Sequence, residues 1–439
     1  MKEYIFEGGL KYYQYENEEL FYNAITELLD KGYQIKNNIF LSVLLENNNE
    51  RIILGYEDID NKNDIFKELT KNYNNIQCIL PDYSNTFLNI ISDIRNNFGY
   101  KSKIKCSNNN LFDKKYSKVV ILLLDGLGVN ILKNNLSDES FLNRHYFSTI
   151  FSIFPSTTAA ATTSFKSGKS PIETGWTGWS NYIKEINKSI VLFTGNDYKT
   201  NEPTGLSGYK LMPYEMFYSD MNNVCGYSIE PDFSRKKHKI DEVLKKSLKT
   251  INKSANTIQY VYYTEPDSIM HEFGPYSKEA KDVLKQIDKK IEKYANKLPN
   301  DTLLIISADH GHIGVKPLAL YKCEAINRLL NRSPANDSRC ITFSVKQGKD
   351  KEFEAVFNGL FASIYKLYKT EDAIRQGFFG SIGDEINPRI NDFLADYVAF
   401  ATNEYYFIYE KGKDDFVFKS HHAGITKEEM EVPIIVLRK

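Results

Sequence analysis

The run Val119-Val120-Ile121-Leu122-Leu123-Leu124 is continuously apolar and partly β-branched. A short run of that kind suits a strand covered on both faces, as in a parallel sheet. Ser189–Phe193, Ile258–Tyr263 and Thr302–Ile306 have a similar character. Helical periodicity separates these runs. Its clearest stretch is Lys278–Leu298, where Val283, Leu284, Ile287, Ile291, Tyr294 and Leu298 share one face. Strand–helix alternation predicts an α/β fold with a doubly wound, mostly parallel sheet.

The pattern changes in two places. Residues 1–77 read as a small α+β extension. A helix is expected over Glu19–Tyr33, with Leu20, Ile25, Leu28 and Leu29 at helical spacing. Strands Ile39–Leu45 and Arg51–Tyr56 follow, joined by the turn-rich Glu46-Asn47-Asn48-Asn49-Glu50. The α/β rhythm occupies residues 78–439. Within it, residues 317–419 read as a mixed insertion that caps the site. The insertion is expected to hold a strand at Ile341–Val345, a helix within Phe353–Tyr368 and a strand at Tyr405–Tyr409.

In open α/β sheets, ligands bind beyond the carboxyl ends of the strands. The first apolar run ends at Asp125, followed by Gly126-Leu127-Gly128. The third runs into Glu265-Pro266-Asp267-Ser268-Ile269-Met270-His271, and the fourth into Ser307-Ala308-Asp309-His310-Gly311-His312. Three strands therefore deliver Asp or Asp/His sets to one edge. The seven histidines are His145, His238, His271, His310, His312, His421 and His422, and five of them fall in three short segments. Carboxylate with neutral imidazole is a donor set for zinc, and also for manganese or iron. Asp267 and His271 stand at i, i+4, on one side of a helical turn. Asp-Gly after a strand is ordinarily only a turn, and Asp-x-x-x-His alone is commonly coincidence. The joint occurrence on one edge carries the reading.

A further segment, Phe154 to Ser164, places Ser156, Thr157 and Thr158 before Ala159-Ala160-Ala161. Small residues let a helix N-terminus approach an anion closely, and its free N–H groups favour phosphate. The competing reading is a buried Ala/Thr-rich helix. Trp176 and Trp179, the chain's only tryptophans, follow in Gly175-Trp176-Thr177-Gly178-Trp179. They read either as a wall for a base or ring or as core.

Composition narrows the classes. The chain has 439 residues, 42% hydrophobic and 26% charged, which excludes a disordered protein. A net charge of −1, with no basic tract, gives no reason for a sequence-specific nucleic-acid or anionic-membrane partner. Cys78, Cys106, Cys225, Cys323 and Cys340 are widely spaced, without a CxxC pair, so neither a disulfide framework nor a cysteine metal knuckle is expected. The N-terminus Met1-Lys2-Glu3-Tyr4-Ile5-Phe6-Glu7 lacks the apolar core of a secretory signal. No apolar run approaches the roughly 20 residues of a membrane span. A cytoplasmic location is the expectation.

Five segments occur in a fixed order: Leu122–Gly128, Phe154–Ser164, Glu265–His271, Ser307–His312 and His422–Met430. In these, residues 78–439 resemble the type I phosphodiesterase/nucleotide pyrophosphatase-like members of the alkaline phosphatase superfamily. The resemblance implies two divalent metal ions, zinc first and manganese second. It assigns one metal to Asp267, His271 and His422, and the other to Asp125, Asp309, His310 and Thr158. The family's nucleophilic threonine lies three residues after the proline of the Phe-Pro segment, which selects Thr158, with Ser156 and Thr157 as neighbouring alternatives. His422 is preferred to His421. His312 orients a ligand, touches phosphate or is structural. Where nucleotide pyrophosphatases carry a phosphate-binding Asn, a gapless alignment places Trp179, with Asn181 two residues on as its substitute. Trp176, Trp179 and Asn181 are thus the expected substrate contacts. The implied reaction is hydrolysis of a phosphodiester or pyrophosphate bond in a small nucleotide-like phosphate ester, through a phosphothreonine-type intermediate. A phosphomonoesterase or a phosphomutase on the same metal core is the alternative, and a homodimer is the expected assembly.

Overall fold

The computed structural model describes residues 1–5, 10–16, 18–39, 42–47, 50–56, 76–235, 238–413 and 416–439. Its centre is a six-stranded sheet. The order is Cys225–Ile229, Thr257–Tyr263, Lys118–Leu124, Thr302–Ser307, Glu431–Arg438 and Tyr146–Phe151. The first four strands run parallel, Glu431–Arg438 pairs antiparallel with both of its neighbours, and Tyr146–Phe151 again runs with the first four. Every residue from Val119 to Leu124 is buried. Successive side chains of a strand point to opposite faces, so both faces are covered. Ile90 and Ile94 from helix Phe87–Asn97, Val243 and Leu244 from Ile240–Thr250, and Leu284, Ile287 and Ile291 from Lys278–Ala295 share this core.

The reversed strand matters for the site. A strand running against its neighbours begins where they end. The segment before Glu431 therefore arrives at the carboxyl edge of the parallel strands, and it carries His422.

Ser189–Phe193 is not part of this sheet. Lys188–Val191 is the edge strand of a second, antiparallel six-stranded sheet and pairs with Ser180–Ile183. Only Ile190 of its residues is buried, so one face is covered and not two. The other members of this sheet are Ala335–Asn336, Cys340–Phe343, Tyr397–Ala401 and Tyr365–Lys369. The stretch Phe353–Tyr368 divides: helix Asp350–Phe361 buries Phe353, Phe357, Leu360 and Phe361, and Tyr365–Lys369 is strand. Tyr405–Phe407 pairs with Lys316–Leu318.

At the N-terminus, Lys2–Ile5, Lys11–Tyr15, Arg51–Tyr56, Ser42–Glu46 and Gln34–Ile39 form a five-stranded sheet, with helix Glu18–Asp30 beside it. The stretch expected as one strand, Ile39–Leu45, spans parts of two, and Asn48-Asn49 of the expected turn lie outside the described residues. The helix buries Phe21 and Ile25 and leaves Leu20 57% exposed, so its inward face is rotated from the expected one. Phe21, Val43, Leu45 and Leu54 share a core with Leu320, Phe343, Phe353 and Phe357. The N-terminal unit thus packs on the second sheet and its helix. Among the described residues, no helix is long and apolar enough to cross a membrane.

Candidate metal centre

Each ligand-bearing segment arrives from the same sheet edge. Asp125 follows strand Lys118–Leu124 and its N–H donates to Tyr263 O. Asp267 opens the helix Asp267–Phe273 beyond Tyr263, and His271 lies one turn along it. Asp309 and His310 follow Ser307. Strand Tyr146–Phe151 leads through Phe154-Pro155 to the helix Thr158–Ser167, which Thr157 caps in an extended conformation.

The donors converge in two groups, Asp267/His271/His312/His422 and Asp125/Asp309/His310, each with its ligand atoms within 4.8 Å of one another. Around Asp267 Oδ1 stand His312 Nε2 at 2.7 Å, His271 Nε2 at 3.3 Å and His422 Nε2 at 3.6 Å. Around His310 Nε2 stand Thr158 Oγ1 at 3.2 Å, Asp125 Oδ1 at 3.4 Å and Asp309 Oδ2 at 3.7 Å. The His310 and His422 rings stack at 3.6 Å, which joins the two groups.

The second ring nitrogens fix the tautomers. His271 Nδ1 donates to Ser420 O (2.8 Å), His310 Nδ1 to Gly311 O (3.0 Å) and His422 Nδ1 to Ser156 O (3.1 Å). A carbonyl only accepts, so each Nδ1 carries the proton and each Nε2 keeps its lone pair turned into the cluster, as in metal-binding histidines. His312 differs. Its Nε2 is hydrogen-bonded to Asp267 and its Nδ1 lies 3.0 Å from Ser420 Oγ, so both ring nitrogens are engaged. That arrangement fits a partner that orients Asp267. His421 Nδ1 accepts the His422 N–H at 2.8 Å, and its ring packs against Phe418 and Tyr406.

Bringing these carboxylates together has an electrostatic cost. Burial, reinforced by the charges of Asp309 and Asp267, pushes the Asp125 carboxyl well above its usual range. Burial likewise raises Asp309 against the pull of His310 and the Gly126 N–H. Burial also works against the Asp267 anion, but His271 and His312 outweigh it and hold that carboxyl well below its usual range. Asp125 Oδ1 and Asp309 Oδ2 are buried and have no hydrogen-bond partner. Unpaired buried oxygens are expensive. A divalent cation satisfies both, so the donor set fits metal.

The three candidate hydroxyls are now distinguishable. Ser156 Oγ donates to Gly424 O (2.8 Å), and Thr157 Oγ1 donates to Asp337 Oδ2 (2.9 Å). Of the three, Thr158 alone turns its hydroxyl to the histidine cluster, and it is half-buried while its neighbours are fully buried. The Thr158–Ser167 helix also aims its first-turn N–H groups toward this end.

The expected substrate contacts divide. Trp176 is fully buried among Ala159, Ile183, Ile190, Leu192, Met212 and Phe393, and its Nε1 donates to Met212 O (3.1 Å). It is a core residue and not a pocket wall. Asn181 is also fully buried. Its Oδ1 accepts from Thr177 Oγ1 and its Nδ2 donates to Gly175 O, so its amide serves its own segment and not a phosphate. Trp179 is 42% exposed and meets Phe193 edge-on at 5.9 Å.

Two contacts were not anticipated from the sequence. The Tyr262 hydroxyl donates to Asp125 Oδ2, and Asp337, from the second sheet, holds Thr157. Burial pushes the Asp337 carboxyl up to about 6, against the hydrogen bond from Thr157. Tyr262 reads as one more apolar strand position until its hydroxyl is placed. Asp337 has no local motif at all.

A mostly parallel α/β sheet with paired Asp/His groups at its carboxyl edge is similar to alkaline phosphatase-like folds. The chain belongs to the type I phosphodiesterase/nucleotide pyrophosphatase family, whose model matches residues 119–426. Rat ectonucleotide pyrophosphatase/phosphodiesterase family member 7 is 25% identical over 190 residues, which is 40% of this chain and 39% of that protein. The chain thus aligns with well under half the length of that relative. Murine ectonucleotide pyrophosphatase/phosphodiesterase 5, solved as an inactive threonine-to-alanine form with AMP, shares the fold with a TM-score of 0.53. It is 17% identical, with 72% of this chain and 87% of that chain covered. Phosphonoacetate hydrolase from Sinorhizobium meliloti superposes with a TM-score of 0.54 at 14% identity, covering 74% and 92% respectively.

Proposed function

We propose that the chain is a metal-dependent hydrolase of phosphodiester or pyrophosphate bonds in nucleotide-like substrates. The observation that carries this is the Thr158 hydroxyl at a helix N-terminus, 3.2 Å from His310 Nε2 and beside two Asp/His groups, one of them wholly buried. Asp267, His271 and His422 would hold one divalent ion, and Asp125, Asp309, His310 and Thr158 the other, zinc being the first candidate. When bound, such ions would polarise the phosphoryl oxygens, ease deprotonation of the attacking hydroxyl and stabilise the negative charge on the leaving oxygen.

In this reading Thr158 Oγ1 attacks phosphorus, its bond to phosphorus forms as the bond to the leaving oxygen breaks, and its proton passes to solvent. First-turn N–H groups of Thr158–Ser167 support the equatorial oxygens. Water then attacks the phosphothreonine, which releases the acid product and restores the hydroxyl. His312 holds Asp267 in place throughout, and Tyr262 does the same for Asp125. Family membership supports the phosphoester class, and the murine neighbour's complex with AMP supports a nucleotide-like substrate.

The test is metal analysis of the purified protein together with rates on bis-p-nitrophenyl phosphate and p-nitrophenyl phosphate. Two equivalents of divalent metal and faster diester cleavage, abolished by a chelator and restored by zinc or manganese, are expected. A faster monoester rate would reassign the chain to phosphomonoesterases. Isomerisation of a phosphorylated substrate without release of phosphate would make it a mutase.

A further inference from the structure

Arg339 and Glu429 form an ion pair that is completely buried on both sides, with Nε–Oε1 at 2.6 Å and Nη2–Oε2 at 2.8 Å. Taking two charges out of water is expensive, and such a pair is seldom a net source of stability. Its contacts lead to the ligands. Glu429 Oε1 also accepts the Gly424 N–H (2.8 Å), and Oε2 accepts the Thr426 N–H (3.2 Å) and hydroxyl (2.6 Å). These bonds tie down the turn that follows His422, where Ala423 is held at φ +91°. Only a well-braced turn keeps an alanine in that region.

The same residue reaches the other ligand group. The Glu429 carbonyl accepts the N–H of Gly311, which lies between His310 and His312, at 2.8 Å. Gly424 O accepts from Ser156 Oγ, two residues before Thr158. Arg339 stands at the tip of the hairpin between Ala335–Asn336 and Cys340–Phe343, and its Nη1 donates to Tyr405 O (2.5 Å). Asp337, two residues earlier on that tip, holds Thr157. One hairpin tip of the second sheet thus touches both the segment before the nucleophile and the turn after His422.

We propose that Arg339 and Glu429 are positioning residues: through the His422–Thr426 turn, the second sheet sets the geometry of His422 and, with it, one metal's affinity. The proposal rests on the metal reading of the site. The hydrogen-bond partners of the two side chains are each other, Tyr405 O, the Gly424 N–H and Thr426, and none is a candidate metal-ligand atom. Its physical basis is that imidazole Nε2 must point at the ion, and ring direction is set by the backbone on both sides of His422. Loss of a group that supports a ligand lowers metal affinity by about 10–100-fold.

The experiment compares the full-length protein with Arg339→Met/Glu429→Met and with Arg339→Lys. The double variant leaves no unpaired buried charge, so it is expected to fold. Metal affinity is read by chelator competition, and ligand geometry by the visible spectrum of the cobalt-loaded protein. The expected result is one site weakened at least tenfold with an altered cobalt spectrum, while the other site retains its ion. If the unaltered protein binds two ions and either folded variant binds both with unchanged affinity and spectrum, the positioning role is overturned. If the unaltered protein binds no divalent metal, the metal reading itself falls, and this inference with it. Should the double variant not fold, Arg339→Lys decides, because it keeps a cation beside Glu429 and gives up only the paired Nε and Nη2 bonds and the Nη1 bond to Tyr405 O.

Discussion

Thr158→Val removes one oxygen and keeps the β-branched shape. In the folded protein that oxygen makes a single 3.2 Å contact, to His310 Nε2, and the residue is half-buried. His310 retains its Nδ1 bond to Gly311 O. A neutral hydrogen bond is worth about 1 kcal/mol net, and Thr and Val have similar helix propensities, so stability should change by no more than about 1 kcal/mol. Activity should respond on a different scale. In the proposed mechanism the substitution deletes the attacking atom, and kcat/KM for bis-p-nitrophenyl phosphate should then fall on the order of a thousandfold or more, about 4 kcal/mol. Denaturant unfolding and release of p-nitrophenolate measure the two quantities. Thr157→Val is the internal control. Its hydroxyl serves the buried Asp337 carboxylate, so that variant should lose about 1–3 kcal/mol of stability and much less activity. A Thr158→Val enzyme within tenfold of the unaltered rate would refute the nucleophile assignment, and an inverted pattern would transfer the role to Thr157.

Trp176→Ala should cost about 3–5 kcal/mol in urea denaturation, because the indole is enclosed in core and donates to Met212 O; a rise in KM at unchanged stability would return Trp176 to the substrate pocket. Gly311→Ala places a Cβ 2.0 Å from Glu428 O, so the turn between His310 and His312 must move; metal content after gel filtration should drop, and full retention of both ions would contradict the tight packing of that turn.

The candidate metal ligands were legible because each sits against a strong local signal. Asp125 ends an unbroken apolar run, Asp309-His310 ends another, and Asp267 and His271 share a helical turn. The apolar runs predict buried strands, since covering both faces of a strand demands it. Edge strands escape this logic. Cys225–Ile229 and Tyr146–Phe151 mix exposed and buried positions, so their patterns resemble loops, and the inner strand Glu431–Arg438 is hidden for a different reason, its Pro433. Ser189–Phe193 shows the converse error. Its apolar residues pack in a one-sided sheet with Trp176 and Met212 and take no place in the central one. The expectation for Trp176 and Asn181 failed for a related reason. Large aromatic and amide side chains near a nucleophile look the same in sequence whether they face a ligand or the core, and burial placed Trp176 and Asn181 inside.

By itself, the sequence determined the chemistry at hand: the order of the Asp/His segments, the hydroxyl cluster before Ala159, and the parallel strands that bring them to one edge. Those follow from periodicity and from residue type, which are local. Tertiary structure alone decided which of three hydroxyls faces the cluster, that His312 serves Asp267, that Tyr262 holds Asp125, and that Asp337, Arg339 and Glu429 tie the second sheet to the site. Arg339 and Glu429 are separated by ninety positions in the chain. Contacts of that kind are made when separate elements pack, and no spacing rule along the sequence encodes them.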